Sequence, residues 1–319
     1  MAFQGLRRAL MGAAIASLAL LAACGGGSVV SQLEPRRVIA FGDAMVDVGQ
    51  TGRRFTIDDG STSIWAQQLA ASYGLPLTAE SAGGSGYGTG NARVTASPDA
   101  AGEASTLTVA QQVGKFLAAG GFAAGDLVVM QAGTSDILTQ VTSANAGAQT
   151  QAQALAAIEQ AARDLAAQVR RIVGAGAQHV VLAGTFNLGR TPWAVGLGQG
   201  PLLESYSRRF NEVLLIGIAD LGANVLYVDQ ALYFNLVTAS PSAYLGSGAN
   251  ATTAACTSVD PGPGIGIGTG QISAYPCDTT TLLPGINPAL YFFADQVYPT
   301  PAAHRLFGIE AFNRVKGRW

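Results

Sequence analysis

Val38-Ile39-Ala40-Phe41, followed at once by Gly42-Asp43, is an unbroken apolar run closed by a turn residue and a carboxylate. A run without polar alternation suits a strand buried on both faces. Leu127-Val128-Val129-Met130, Val180-Val181-Leu182 and Val225 to Val228 repeat the pattern. Between these runs the period changes to that of a helix. Ile64 to Tyr73 is stopped by Gly74 and Pro76, and Leu107 to Ala118 ends in a glycine-rich turn. From Gln149 to Val173, the residues Leu155, Ile158, Ala162, Leu165, Val169 and Ile172 form one stripe. Leu202 to Leu221 is helical again, and Thr300 to Val315 closes the chain with Thr300 as N-cap and Pro301 in the first turn. Apolar strands separated by helices predict an α/β fold, a three-layer αβα sandwich around a parallel sheet. Its site should lie at the carboxyl ends of the strands.

The 319 residues carry 49% hydrophobic and 12% charged side chains and a net charge of -2. That is enough apolar material for one large domain, expected over residues 37–319. No basic stripe exists, which excludes nucleic acid as an expected partner. Nothing suggests an obligate oligomer, so a monomer is expected. At the N-terminus, Arg7 and Arg8 precede an apolar stretch from Ala9 to Ala22 that is short for a membrane span. Leu21-Ala22-Ala23-Cys24 resembles the bacterial lipobox, in which the cysteine is lipidated and becomes the mature N-terminus. The expectation is a lipoprotein signal peptide over 1–24, a tether over 25–36 and a lipid anchor in the cell envelope, with Gly25 resembling the outer-membrane class. Cys256 and Cys277 then remain, inside a Gly-rich insertion over 245–283. A disulfide closing that loop is the simplest reading; free thiols or a metal pair lack a nearby histidine.

Five segments form an ordered set. Phe41-Gly42-Asp43-Ala44-Met45-Val46-Asp47-Val48-Gly49 resembles F-G-D-S-x-x-D-x-G, the opening motif of the GDSL (SGNH) ester hydrolases. Gly84 to Val94 is similar to the second block of that family, and Ala132-Gly133-Thr134-Ser135-Asp136 to the third, normally G-x-N-D. Phe186-Asn187-Leu188-Gly189-Arg190-Thr191-Pro192 resembles the fourth, and Asp295-Gln296-Val297-Tyr298-Pro299-Thr300 the last, normally D-x-x-H-P-T. The resemblance implies a flavodoxin-like, five-stranded parallel sheet. It also implies a serine nucleophile, a histidine base oriented by an aspartate, and Gly and Asn donors for the oxyanion. No cofactor and no metal are expected.

The resemblance assigns the nucleophile to Ala44, a methyl group. It assigns the base to Tyr298, a phenol with an ordinary pKa of about 10, and the oxyanion amide to Ser135. Gly90 matches the glycine donor, and Asp295 the orienting carboxylate. Removing the nucleophile or base of such a triad costs around a millionfold in turnover. His304, nine positions after Asp295, is a candidate rescuing base, with packing as the alternative reading. His179 belongs at the opposite end of the sheet. Ser61, Ser63 and Ser85 offer hydroxyls that fit loops better than a nucleophile turn. Asp43, Asp47, Asp136 and Asp295 could converge on a metal, although structural hydrogen bonding suits their spacing better. Asp43, Asn91 and Trp193 are candidate binding residues, Trp193 ahead of Trp65, Tyr87, Tyr233 and Tyr291. Three functions stay open: a scaffold without esterase chemistry that still binds an acyl ester, lipid or acetylated glycan; a working ester hydrolase with an unorthodox site; or a structural, partner-binding lipoprotein.

Overall fold

A computed structural model describes residues 31, 33–61, 64–262 and 264–319. The lipobox-like segment with Cys24, most of the expected tether, and Ser63 lie outside them. Among the described residues no helix is long and apolar enough to cross a membrane.

The chain enters the sheet at β1 (Arg37–Gly42), held at its start by Arg36 N–H donating to Gly125 O at 2.8 Å. β2 (Asp126–Gln131), β3 (His179–Ala183) and β4 (Val225–Tyr227) follow in spatial order β1-β2-β3-β4, each pair parallel. All four coincide with the apolar runs. The expected fifth strand is reduced to a bridge: Ala40 N–H donates to Ser85 O at 3.1 Å and Tyr87 N–H to Ala40 O at 2.7 Å, on the free side of β1. The order is therefore the flavodoxin-like one, with its outer member cut short. Gly84, Gly86 and Gly88 crowd this segment, and a Cβ at each would meet backbone or a valine methyl within 3 Å.

Helices cover both faces. α1 (Trp65–Ser72) packs against α9 (Pro301–Arg318). On the other face α4 (Gln151–Gly174) packs against α2 (Val109–Ala118), α3 (Thr134–Asn145) and α6 (Gly200–Gly217). α5 (Pro192–Gly196) is a single short turn that precedes α6 in the chain. Thr108 and Thr150 start α2 and α4 with capping boxes completed by Gln111 and Gln153. Thr300 accepts from Ala303 N–H as the cap of α9, with Pro301 in the first turn. Four described helices have no counterpart in the sequence reading: α3, the short α5, α7 (Gln230–Ala239), and the short α8 (Pro241–Leu245) into which α7 leads.

The Gly-rich insertion is less superficial than expected. Its β5 (Asn250–Ala254) pairs in parallel with β6 (Tyr291–Phe293). Cys256 and Cys277 form a disulfide with Cα atoms 6.0 Å apart. Both cysteines are buried with Ile57, Ala255, Ala274 and Ala294 in a second small core. The staple thus folds the loop down onto the carboxyl end of the sheet.

Candidate functional site

Where β1 ends, Gly42 takes φ +149, and a Cβ there would lie 1.7 Å from Gln131 O. Only glycine lets the two strands close up at this point. Asp43 then caps a single 3-10 turn, Ala44–Val46, with Oδ1 accepting from Met45 N–H at 3.1 Å. Its Oδ2 accepts from Thr134 N–H at 3.0 Å, which ties the first block to the third. Asp47 binds its own loop through Gly49 and Gln50 N–H and reaches across to Gly90 N–H at 2.7 Å. The backbone donor expected to face an oxyanion is therefore already engaged. Asp295 accepts from Val297, Tyr298 and Ala274 N–H at 2.7, 2.6 and 2.7 Å. Its carboxylate orients no side chain; it holds the last block's turn and fastens the insertion to it. Asp136 accepts from Val94 N–H at 3.0 Å and pairs with Arg93 at 3.4 Å.

These four carboxylates are each spent on holding loops together, and no group of acidic, His or Cys side chains suited to a metal occurs among the described residues. Burial pushes Asp43 up to about 7 and Asp47, Asp136 and Asp295 up to about 6, against the backbone N–H groups that favour the anion.

Ala44 is 1% exposed and Tyr298 0%. The Tyr298 phenol is raised well above its ordinary pKa, first by burial and then by the nearby Asp43 and Asp295 charges. It is no base. Ser135 lies close enough to oppose that shift slightly, yet neither the phenol oxygen nor Ser135 Oγ has a hydrogen-bond partner, so the contact is loose.

The lid over this chamber is Phe55, 4% exposed, a residue the sequence did not mark. Its ring packs 5.6 Å from Tyr298 and 5.2 Å from Tyr275, centre to centre. A Cβ on Gly90 would strike the Phe55 ring at 1.7 Å, so the glycine is needed here for close approach. Outside Phe55 lies an open cleft of about 260 Å³.

The structure brings Ala44, Ser135, Asp295, Tyr298 and Asp43 to one place, with Gly90 beside it under Phe55. It does not bring His304. That imidazole is buried, its Nδ1 accepts from Trp65 N–H at 3.3 Å, and burial lowers its pKa to about 3. With its lone pair engaged, it cannot rescue the base. His179 lies at the amino end of β3 against Trp319. Ser85 Oγ donates to Val38 O, and Ser61 Oγ to Asp59. Trp193 lines a separate groove with Leu197 and Gly266, and Asn91 lines the outer cleft. Trp65 and Tyr87 are core residues, while Tyr233 faces a cleft beside β4.

The family model of GDSL-like lipases and acylhydrolases matches residues 38–311. The chain belongs to that family. Among solved structures, the GDSL chain is similar to a carbohydrate acetylesterase from Sinorhizobium meliloti. The identity is 14%, covering 89% of this chain and 100% of that one, with a TM-score of 0.47. The native aryl esterase of M. smegmatis aligns at 16% identity, 89% and 99% coverage and a TM-score of 0.43. No curated protein matches.

Proposed function

We propose that this chain is a GDSL-family scaffold at the cell envelope that does not hydrolyse esters by the family's serine mechanism and acts by binding. The carrying observation is Ala44, which offers no hydroxyl and is buried in the main core at 1% exposure. Acyl transfer requires an activated nucleophile and a base with a free lone pair; neither Tyr298 nor His304 supplies the latter. A ligand of the family's kind, an acyl ester, a lipid or an acetylated glycan, would meet these blocks at the cleft lined by Phe55, Gly90 and Asn91. The envelope address rests on Leu21-Ala22-Ala23-Cys24 and the positive segment before it. The aspartates and the glycines at 42 and 90 maintain the loops that shape the cleft.

The test is direct. The purified chain is incubated with chromogenic short- and medium-acyl esters and, separately, with a fluorophosphonate probe. No turnover above buffer and no labelling are expected. Turnover without labelling would overturn the reading and require a non-serine mechanism. Labelling would place a reactive hydroxyl elsewhere.

A further inference from the structure

We propose that the outer ridge of α7 is a membrane-docking surface that sets how the anchored domain sits on a lipid bilayer. The inference rests on the envelope reading above and adds a second membrane contact to the N-terminal one. A surface helix ordinarily keeps a polar face for water. In α7, Phe234 and Val237 are buried, yet Leu232 is 56% and Leu236 49% exposed. Its polar side chains are spent within the protein. Gln230 is buried, Asn235 accepts from Asn187 Nδ2 at 3.0 Å, and Thr238 Oγ1 donates to Phe234 O at 2.8 Å.

The apolar strip extends beyond the helix. Leu232 lines one cleft with the exposed Leu215 of α6 and a second with Tyr233 and Leu236. The Tyr233 ring stands 6.1 Å from that of the exposed Tyr244 in α8. A continuous exposed strip of this kind marks an interaction surface.

Charge and reach select a bilayer as the occupant. No charged residue stands between Asp229 and Asp260. In the flanking clefts Arg208 is paired with Glu212 at 2.9 Å and Arg314 with Glu310 at 2.6 Å, while Asp229 caps α7 through Leu232 N–H. Uncharged leucines edged by tyrosines suit the boundary between headgroups and acyl chains, where a phenol keeps its ring dry and its hydroxyl wet. Arg36, at the entry to β1, follows Cys24 by 12 positions, a stretch that spans at most about 40 Å. That is comparable with the width of a domain whose radius of gyration is about 19 Å. The anchor therefore lets the ridge reach the bilayer and holds it there at high local concentration. A second copy fits less well. The 10 residues of α7 present a footprint of roughly 150–180 Å², against about 800 Å² per partner in a standard interface. Asn187 and Arg190 of the fourth block bond to Asn235 and Thr238, so docking brings that block to the lipid surface.

Leu236→Trp tests this, with Ala167→Trp on the exposed side of α4 as control. The full chain, disulfide-bonded and carrying an N-terminal histidine tag, is held on phosphatidylcholine vesicles by nickel-chelating lipid. Attachment then does not depend on Cys24. Tryptophan emission is compared between vesicles with and without brominated acyl chains, after subtraction of the parent chain's signal. Emission at 236 is expected to fall at least twofold, at low and high salt alike, and emission at 167 to stay level. Leu232→Ser in the Leu236→Trp chain should remove the quenching with the melting temperature unchanged. The proposal is overturned if position 236 is not quenched, if both positions are quenched alike, if high salt abolishes the effect, or if Leu232→Ser leaves it intact. A dimer in sedimentation that Leu232→Ser with Leu236→Ser breaks, without quenching at 236, would assign the ridge to a second copy instead. The mass of the N-terminal peptide of the cell-made protein reads the anchor separately. Unmodified Cys24 would refute the anchor without touching the quenching, and lipid on Cys24 without quenching at 236 would refute only the docking.

Discussion

Replacing Tyr298 with phenylalanine is expected to stabilise the protein, the reverse of what loss of a hydroxyl usually does. Tyr298 is wholly buried, and its phenol oxygen has no hydrogen-bond partner. A buried hydroxyl left unpaired costs about 1–3 kcal/mol, because water is given up and nothing replaces it. The loose approach of Ser135 recovers part of that. Phenylalanine keeps the ring against Phe55 and removes the oxygen, so the net gain should be about 1 kcal/mol. For a domain of this size that raises Tm by roughly 2–4 °C. Thermal unfolding with the disulfide kept oxidised reads it, alongside Ser135→Ala and the double variant. If the two hydroxyls do not bond, the coupling between the substitutions stays within about 0.5 kcal/mol of zero. A fall in Tm with Tyr298→Phe, or a coupling well above that limit, would mean that the hydroxyl is bonded in the folded protein. The chamber would then be wet, and the argument that it is sealed would fail.

Three further outcomes are expected. Ala44→Ser with Ser135→Asn and Tyr298→His should leave turnover of chromogenic esters at background while Phe55 stands; adding Phe55→Ala should raise it at least tenfold, at about 3 kcal/mol of stability. Stability should rise as pH falls from 8 to 5, read as Tm. Asp43, at about 7, and Asp47, Asp136 and Asp295, at about 6, hold protons more tightly folded than unfolded. Their stabilising contribution is full below about 4 and lost as pH rises through those values. His304 and His179 are lowered and run the opposite way below about 6.5, but the four carboxylates outnumber them; a lower Tm at pH 5 would refute the assignment. Cys256→Ser with Cys277→Ser should cost about 3 kcal/mol by the loop-entropy relation, and limited proteolysis should cut the freed insertion first; unchanged Tm and an uncut insertion would refute it.

The parts of the fold that could be read from the sequence are those whose burial is periodic. Val38 to Phe41 and Leu127 to Met130 are covered on both faces, so every residue in them is apolar. The bridge at Ser85–Tyr87 carries too few pairs to need such a run, and glycines flank it. α3 was hidden because its first turn, Thr134-Ser135-Asp136, is polar and buried at the site. α7 was hidden because Leu232 and Leu236 are exposed while Phe234 and Val237 are buried, which erases the stripe. The blocks marked where the site would be, but what closes it could not be read locally. Phe55 and Tyr275 are 220 residues apart and meet only because the disulfide loop is folded over the sheet. The bond from Trp65 to His304 Nδ1 is likewise a tertiary fact, and it changes the imidazole from a candidate base to a structural acceptor.

The proposed binding role is consistent with what each motif position does structurally. Asp43 joins the first block to the third through Thr134, Asp47 joins it to the second through Gly90, and Asp295 joins the last block to the insertion through Ala274. Replacing any of them strands backbone N–H groups inside the protein, at about 1–3 kcal/mol each. The nucleophile and base positions have no such duty. Alanine at 44 brings no polar side-chain atom that needs a partner, and its methyl sits in the core with Met45 and Val46. At 298 the backbone N–H still reaches Asp295, whatever the side chain, and the tyrosine ring adds contact with Phe55 that helps shut the chamber. Under the proposed binding role, alanine at 44 and tyrosine at 298 cost the fold little, and the tyrosine ring favours closure against Phe55. The aspartates stay because the loops around the outer cleft hang from them.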